Sequence, residues 1–434
     1  MNILIISTPN PYKTAGIVAY NLYKGLMEEK NNIKVLTRYY AKFDSEDFVS
    51  IETSFDLIKK KWKYRYERVL ARLGISTIID KTNPDYHIQD FDQTKEYYST
   101  KKILKKIKFQ PDVIFYLFQQ NFLTAKNLYE LNKLTGAKIF WYMMDTAPLT
   151  GVCHYSWECK GYMTGCGKCP ALYSTDKNDQ SSINFNYKNK YLSETNIDII
   201  VATEWQNNQA IVSRLFKNKS IHKVLLSIDP NEYSSVPKLQ AKIKLGIPVD
   251  RKVIFFGATS ILDKRKGMKY LIEALQILKK SNNKENHKIL LLIAGNFDIQ
   301  QNSFPFEVMH LGLLGNNEQL ASAYQAADVF VCPSIEDSGP MMINQSIMTG
   351  TPVVSFEMGV ALDLVFTGKT GYRAKLKDSV DLAKGINTIL ELDDEAFLQM
   401  SSNCRELGLN SCHPDVMKKQ FYKLFNKIKT DELL

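Results

Sequence analysis

The sequence predicts an α/β protein of two Rossmann-like parallel-sheet domains, and three observations predict it. The chain opens as strand, glycine turn, helix and strand. The alternation restarts near Lys252 and continues to about residue 390. Between them in importance stands residues 329–356, which read as strand, polar loop, helix and strand. Strands buried on both faces and followed by helices are the layout of open parallel sheets. A length of 434 residues suits two domains, each able to bury its own core.

Taken in order, residues 2–7 form an apolar strand. Thr14-Ala15-Gly16 opens a helix through Leu26, with Val18, Leu22 and Leu26 four apart, and 34–37 is the next strand. Buried strands are expected at 112–118, 137–142 and 197–202, and a helix from Thr203 to near Phe216. In the second half, strands fall at 252–257, 289–294, 329–332 and 351–356, and helices at 271–278, 318–327 and 341–348. Residues 415–427 form an amphipathic helix with Met417, Phe421, Leu424 and Phe425 on one side. The sequence contains no internal repeat, low-complexity tract or long Gly/Ser linker.

Composition is that of a globular protein, 44% hydrophobic and 24% charged. No apolar run approaches the ~18 residues of a membrane span, and residues 1–7 lack the basic flank of a signal peptide. The expectation is a cytoplasmic protein, or one that reaches a membrane from that side. The net charge of +10 is concentrated locally. Lys59, Lys60, Lys61, Lys63, Arg65, Arg68 and Arg72 crowd one segment with Trp62, Tyr64 and Tyr66, and Lys101, Lys102, Lys105, Lys106 and Lys108 form a second run. Ile58, Trp62, Tyr66, Val69, Leu70 and Leu73 share one helical face. Two readings stand side by side: a helix lying on an anionic membrane, or a core helix with a solvated cationic back.

The loop after residues 329–332 runs Pro333-Ser334, Glu336-Asp337, Ser338-Gly339-Pro340 and then the helix at Met341. Carboxylates and free helix amides therefore gather beyond a strand's carboxyl end, the usual ligand edge of such sheets. The amides favour a phosphate, and the carboxylates accept from sugar hydroxyls. A second basic loop, Asp263-Lys264-Arg265-Lys266-Gly267, follows the strand ending in Phe256-Gly257-Ala258.

These segments resemble the donor-binding signature of the family-four retaining glycosyltransferases, which have the GT-B fold. Counting back from Gly350-Thr351-Pro352 places the second signature acid at Gln345 and the first at Asp337, with Glu336 beside it. The pattern has Glu at both positions; here they are Gln and Asp. The resemblance implies two Rossmann-like domains facing a cleft: residues 1–222 for the acceptor, 223–412 for the nucleotide sugar, and a final helix in 413–434 packing back on the first. Asp229-Pro230-Asn231 marks the crossing. It further implies that Lys266 and Arg265 hold the pyrophosphate, with Ser338, Gly339 and Met341 at the helix start. Asp337 or Glu336 would hold sugar hydroxyls and Gln345 the ribose. Gly16 would lie in the first loop, where relatives have two glycines, and Gly312 beside the base, which is unspecified between UDP- and GDP-sugars. His310 is expected to be packed within its strand. Asp145, after Met143-Met144, would orient acceptor or sugar, or else cap its loop. The reaction needs no catalytic metal, since basic groups and amides neutralise the leaving diphosphate.

Cys153, Cys159, Cys166 and Cys169 place four of the seven cysteines within residues 151–170. Such clustering suggests structural zinc, with His154 an alternative ligand; free thiols, a redox pair or an iron–sulfur cluster are the other readings. The insert is similar to one in bacterial glycosyltransferases that build surface polysaccharides such as O-antigen, capsule or exopolysaccharide. The function so implied is transfer of a hexose from a nucleotide-diphosphate sugar to a lipid-linked glycan. A sugar-nucleotide epimerase of the same fold is a competing reading. A nucleic-acid-binding protein is a third, disfavoured because the basic runs lie far from the cysteines and no nucleic-acid module is present.

Overall fold

The computed structural model describes residues 1–12, 16–27, 31–72, 82–88, 90–260, 263–281, 284–296 and 304–431. Thr14, Ala15 and Leu73, named above, lie outside them. The chain divides into two compact units. The first comprises Met1–Val201, Asn207–Lys223 and Asn426–Leu434; the second comprises Ala202–Gln206 and Val224–Phe425.

The first unit is built on a seven-stranded parallel sheet. Its strands are β1 (Asn2–Ser7), β2 (Asn32–Thr37), β3 (Phe48–Ser50), β4 (Val113–Tyr116), β5 (Lys138–Met143), β6 (Ile197–Val201) and β7 (Ile221–Lys223). The order is β3-β2-β1-β4-β5-β6-β7, and Ile5 pairs with Val35 on one side and Phe115 on the other. The direction of winding reverses between β1 and β4, and a crevice outside the strand ends at such a point is where these sheets take ligands. Thr8 spans that point, its hydroxyl donating to the Phe118 carbonyl at 2.9 Å. Leu4, Ile6, Ile114, Tyr116 and Trp141 belong to one continuous buried core.

The second unit holds a six-stranded parallel sheet. Its strands are β8 (Lys252–Ser260), β9 (Ile289–Asn296), β10 (Glu307–Gly312), β11 (Val329–Cys332), β12 (Val353–Phe356) and β13 (Gly371–Ala374), in the order β10-β9-β8-β11-β12-β13. Here the reversal falls between β8 and β11, so the loops leaving these two strands meet at the ligand edge. Phe255, Tyr324 and Phe330 pack together beneath that edge, with ring centroids 5.0, 5.2 and 5.5 Å apart. Asp328 ties the foot of β11 to β8. Buried, it accepts the Val253 N–H at 2.7 Å and pairs with Lys238 at 2.5 Å and Lys242 at 3.6 Å.

Some elements differ from the sequence expectation. The helix expected from Thr203 to Phe216 spans only Glu204–Ala210. Beyond Ala210 the chain turns, with the Ser213 N–H on the Ala210 carbonyl at 3.1 Å and the Ser213 hydroxyl accepting the Phe216 N–H at 3.1 Å, a side chain competing with the backbone ladder. The three-residue β3 was not anticipated, being too short to show a period of two. His310 is exposed rather than packed, because β10 is an edge strand. Among the described residues no helix is long and apolar enough to cross a membrane.

Removing Asp328 would strand the buried Lys242 ammonium. Asp328→Ala should therefore destabilise the protein by about 3 kcal/mol or more in denaturant unfolding. A loss below about 1 kcal/mol would show that this pair does not hold β11 to β8.

Candidate active site

Two loops make the site of the second unit. The first, residues 263–267, leaves β8 as a single 3-10 turn, Lys264–Lys266. Asp263 caps it by accepting the Arg265 N–H at 3.1 Å, and Gly267 ends it in the left-handed conformation at φ 68°. The second, residues 333–340, leaves β11 and delivers the chain into the helix Met341–Thr349. The two are joined through their backbones, with the Ile335 N–H donating to the Arg265 carbonyl at 2.8 Å. A Cβ on Gly267 would lie 1.8 Å from the Pro333 carbonyl oxygen, so only glycine admits this approach.

The side chains that this docking brings together are Arg265, Lys266, Glu336, Asp337 and Ser338. Lys266 Nζ donates to Asp337 Oδ2 at 2.5 Å, with the lysine about a quarter exposed and the carboxylate buried. Asp337 Oδ1 accepts the Gly339 N–H at 3.2 Å. Burial alone would raise the Asp337 carboxyl. The Lys266 ammonium, its hydrogen bond and the Arg265 guanidinium outweigh burial and hold it below the usual carboxylate range. Arg265 is buried and paired with Asp263 at 2.5 Å. Glu336 is buried beside them.

Donors cluster at the start of the next helix. Pro340 is its N-cap and supplies no side-chain bond; the Ile343 N–H donates to the Pro340 carbonyl at 2.9 Å, and among the described residues the Met341 and Met342 amides are left for another partner. The Ser338 hydroxyl is buried with no hydrogen-bond partner, while the Ser338 carbonyl accepts from Thr203 Oγ1 at 2.9 Å. Gly339 packs against the Thr203 methyl group. An ammonium, helix amides and an unengaged hydroxyl in one place are the donor set an anion requires.

Gln345, the residue expected at the ribose, lies between two tyrosines. Its Nε2 donates to the Tyr233 hydroxyl at 2.9 Å, and its Oε1 accepts from the Tyr324 hydroxyl at 3.1 Å. A neutral amide suits this place because one phenol needs a donor and the other an acceptor. Gly312 ends β10 at φ 66°, at the far edge of the sheet.

The remaining sequence candidates belong to the first unit. Gly16 precedes the helix Ile17–Leu26, and a Cβ there would lie 1.8 Å from the Asn10 carbonyl oxygen, so the first loop folds tightly on itself. Asp145 follows β5 and is buried. Its Oδ1 accepts the Ala147 N–H at 2.9 Å, and its Oδ2 bonds His154 Nδ1 at 2.7 Å. Sequence reasoning missed this Asp–His pair: nine positions of irregular loop separate the two, and no periodicity marks such a contact. The same bond engages His154 Nδ1, so this ring, the alternative ligand of the thiol site, would reach a metal only through Nε2. Cys153, Cys159, Cys166 and Cys169 line one hollow in the loop between β5 and the helix Gln180–Ser193. Burial pushes the thiols of Cys153 and Cys169 up, and that of Cys166 up to about 12. Among the described residues no group of three or more His, Cys, Asp or Glu is arranged as a ready metal site.

Residues 237–407, within the second unit, match the family described as glycosyl transferases group 1. An uncharacterized glycosyltransferase of Methanocaldococcus jannaschii is 26% identical over 286 residues, 63% of this chain and 67% of that one. An N,N'-diacetylbacillosaminyl-diphospho-undecaprenol alpha-1,3-N-acetylgalactosaminyltransferase of Campylobacter jejuni is 22% identical over 38% of this chain, and only 42% of its length is matched. The architecture is the GT-B fold. It is shared with sucrose-phosphate synthase of Thermosynechococcus elongatus (TM-score 0.66, 16% identity, 99% of both chains). It is shared also with Anabaena HepE solved with UDP and glucose (TM-score 0.61, 15% identity, 98% of this chain and 100% of that one).

Gly267→Ala forces the two loops apart, since the clash is with backbone and no rotamer relieves it. The variant should lose at least about 2 kcal/mol of stability in urea unfolding. A variant as stable as the parent would contradict the docking of the two loops.

Proposed function

We propose that the protein is a retaining glycosyltransferase, moving a hexose-type sugar from a UDP- or GDP-sugar to a lipid-linked glycan destined for a bacterial surface polysaccharide. The observation that carries this reading is the Lys266–Asp337 pair set beside the Met341 and Met342 amides that open the helix Met341–Thr349. A departing nucleoside diphosphate accumulates negative charge on phosphate oxygens, and catalysis lies in donors already placed to receive it. Lys266 has three N–H groups, so its ammonium reaches a phosphate oxygen while keeping Asp337. Arg265 adds positive charge behind it. The Ser338 hydroxyl and the Met341 amide complete the grip, while the Gly339 N–H holds Asp337 Oδ1 in place. Asp337 and Glu336 accept from sugar hydroxyls, which steadies the sugar as the glycosidic bond to phosphate lengthens. The leaving phosphate oxygen takes the proton of the incoming acceptor hydroxyl on the same face, so configuration is retained. These charges serve where other transferases employ a cation.

Gln345 acts through others. By bridging Tyr233 and Tyr324 it fixes the helix that presents the amides, and its effect on ribose is indirect. On the first unit, Asp145 is assigned to acceptor hydroxyls, its orientation held by His154 and the Ala147 amide.

A lipid-borne acceptor is supported by the helix Ser54–Arg72. Phe55, Ile58, Trp62, Tyr66 and Val69 fall within an arc of about 80° on this helix. They are 72%, 52%, 66%, 64% and 52% exposed, so nothing among the described residues covers the stripe. Lys59 and Arg65 flank it on either side, and the Arg65 guanidinium lies 5.8 Å from the Trp62 ring centroid. Apolar residues bordered by cations suit the headgroup boundary of an anionic bilayer. The diphospho-undecaprenol acceptor in the name of the Campylobacter relative accords with this. The reaction would then take place at the cytoplasmic face of the membrane.

Thermal-shift screening across UDP- and GDP-sugars should single out a donor that raises the melting point by mass action. With that donor, Lys266→Ala should lower turnover by about two to four powers of ten, the effect of losing one transition-state electrostatic group. Near-parental turnover would remove Lys266 from the mechanism. In vesicle sedimentation the protein should partition to phosphatidylserine-containing vesicles and not to neutral ones. The double variant Trp62→Ser/Tyr66→Ser should weaken that binding about tenfold. Equal binding to both vesicle types would overturn the membrane contact.

A further inference from the structure

The loop between β5 and the helix Gln180–Ser193 raises a problem of stability. Residues 144–179 contain no α-helix and no strand, only the single 3-10 turns Gly161–Met163 and Pro170–Leu172. A stretch this long without regular structure is unusual inside a compact unit. Its own apolar cluster is small, with Val152, Cys153, Cys169 and Ala171 as the buried members. Leu149 and Tyr162 join the main core of the unit, but the part of the loop around the cysteines rests on this small cluster alone, and small modules of this kind are commonly stapled by a metal or by disulfides.

The backbone is also bent in costly ways around the cysteines. Cys166, Gly167 and Lys168 all have positive φ, 59°, 90° and 48°, and two of them are not glycine. Residues forced into this region persist where the surroundings demand it, commonly at ligand clamps. Here the bend carries the chain round so that Cys166 and Cys169 face one hollow together with Cys153 and Cys159. Backbone amides are directed at the sulfurs. The Gly161 N–H donates to Cys159 Sγ at 3.4 Å, and the backbone amides of Gly151 and Ala171 lie where they favour the thiolates of Cys166 and Cys169 against burial. Amides aimed at sulfur stabilise a thiolate, which is the form that binds metal.

A buried cation completes the picture. Lys188 is 3% exposed, and its ammonium donates to the carbonyls of Ala147 and Thr150 at 2.7 and 2.8 Å, within electrostatic reach of Cys166, Asp90, Cys153 and Asp145. Among the described residues no carboxylate is hydrogen-bonded to it. An anionic centre in the hollow would add to the negative charge that faces this lysine.

We infer that Cys153, Cys159, Cys166 and Cys169 bind one zinc ion in a closed, structural site that holds residues 144–179 in place. The thiol groups turn inward about their Cα–Cβ bonds, four protons pass to solvent, and four Zn–S bonds form. The resulting centre carries two negative charges, and Lys188 offsets one of them. With four protein ligands no position stays open for water, so the ion has no part in the reaction. Through Asp145 and His154, which lie in the same loop, it fixes one wall of the first unit's ligand edge. This inference is independent of the transferase reading.

The test is elemental analysis of the full chain, purified with a reductant and without chelator. About one zinc per chain is expected. Release with a mercurial should titrate together with four thiols, and cobalt reconstitution should produce the intense thiolate-to-cobalt absorption of a tetrahedral sulfur site. Cys166→Ser and Cys169→Ser should each abolish that absorption, and the mercurial titration of the parent protein serves if they fail to fold. Zinc below about a tenth of an equivalent, iron in its place, or fewer than seven titratable thiols in the unfolded chain, as disulfides would produce, each overturns the assignment.

Discussion

The contact on which the chemistry proposed for the second unit depends is the pair between Lys266 and Asp337. Two loops that leave neighbouring strands in opposite directions of winding are locked by one backbone hydrogen bond and one glycine-permitted approach. The pair forms on top of that lock. Each partner alters the other's state, since the ammonium keeps a buried carboxylate ionised and the carboxylate holds a flexible lysine in one geometry. A lysine so held meets an arriving phosphate without first losing its rotamer freedom, which is the advantage of preorganisation.

The first unit solves its own positioning problem by other means. Its sheet also presents a reversal point, but the groups around it are anchored by buried polar networks rather than by one pair. Glu52 takes Arg38 at 3.2 Å, Lys60 at 2.6 Å and the Tyr98 hydroxyl at 2.8 Å. Asp145 takes His154 and an amide. Such fully occupied networks rigidify a binding edge, and each member is expensive to remove because its partners are left desolvated.

Much of the fold was legible because buried parallel strands read as continuous apolar runs. Residues 2–7, 329–332 and their like could hardly be anything else. The site loops were legible for a different reason: glycine, proline and charge stand at positions where only a ligand edge needs them. What stayed hidden depends on tertiary contact. Gln345 looks like a ribose ligand until Tyr233 and Tyr324 are seen on either side of it. The Asp145–His154 pair links two points of an irregular loop. Trp62 and Tyr66 had an equal chance of a core or a surface, because periodicity tells which residues share a face and not what covers it. Thr203, read as a helix start in the first half, clusters instead with the second unit through its bond to Ser338.

The central claim is that Lys266 and Asp337 act as one element in gripping a nucleoside diphosphate. A double-mutant cycle on nucleotide affinity measures this directly, with Lys266→Met, Asp337→Asn and the combined variant titrated calorimetrically against UDP and GDP. Coupling of at least about 1 kcal/mol is expected, with the double variant little worse than Lys266→Met alone. Losses that add, or affinity untouched in all three, would mean that the two side chains meet without sharing a ligand.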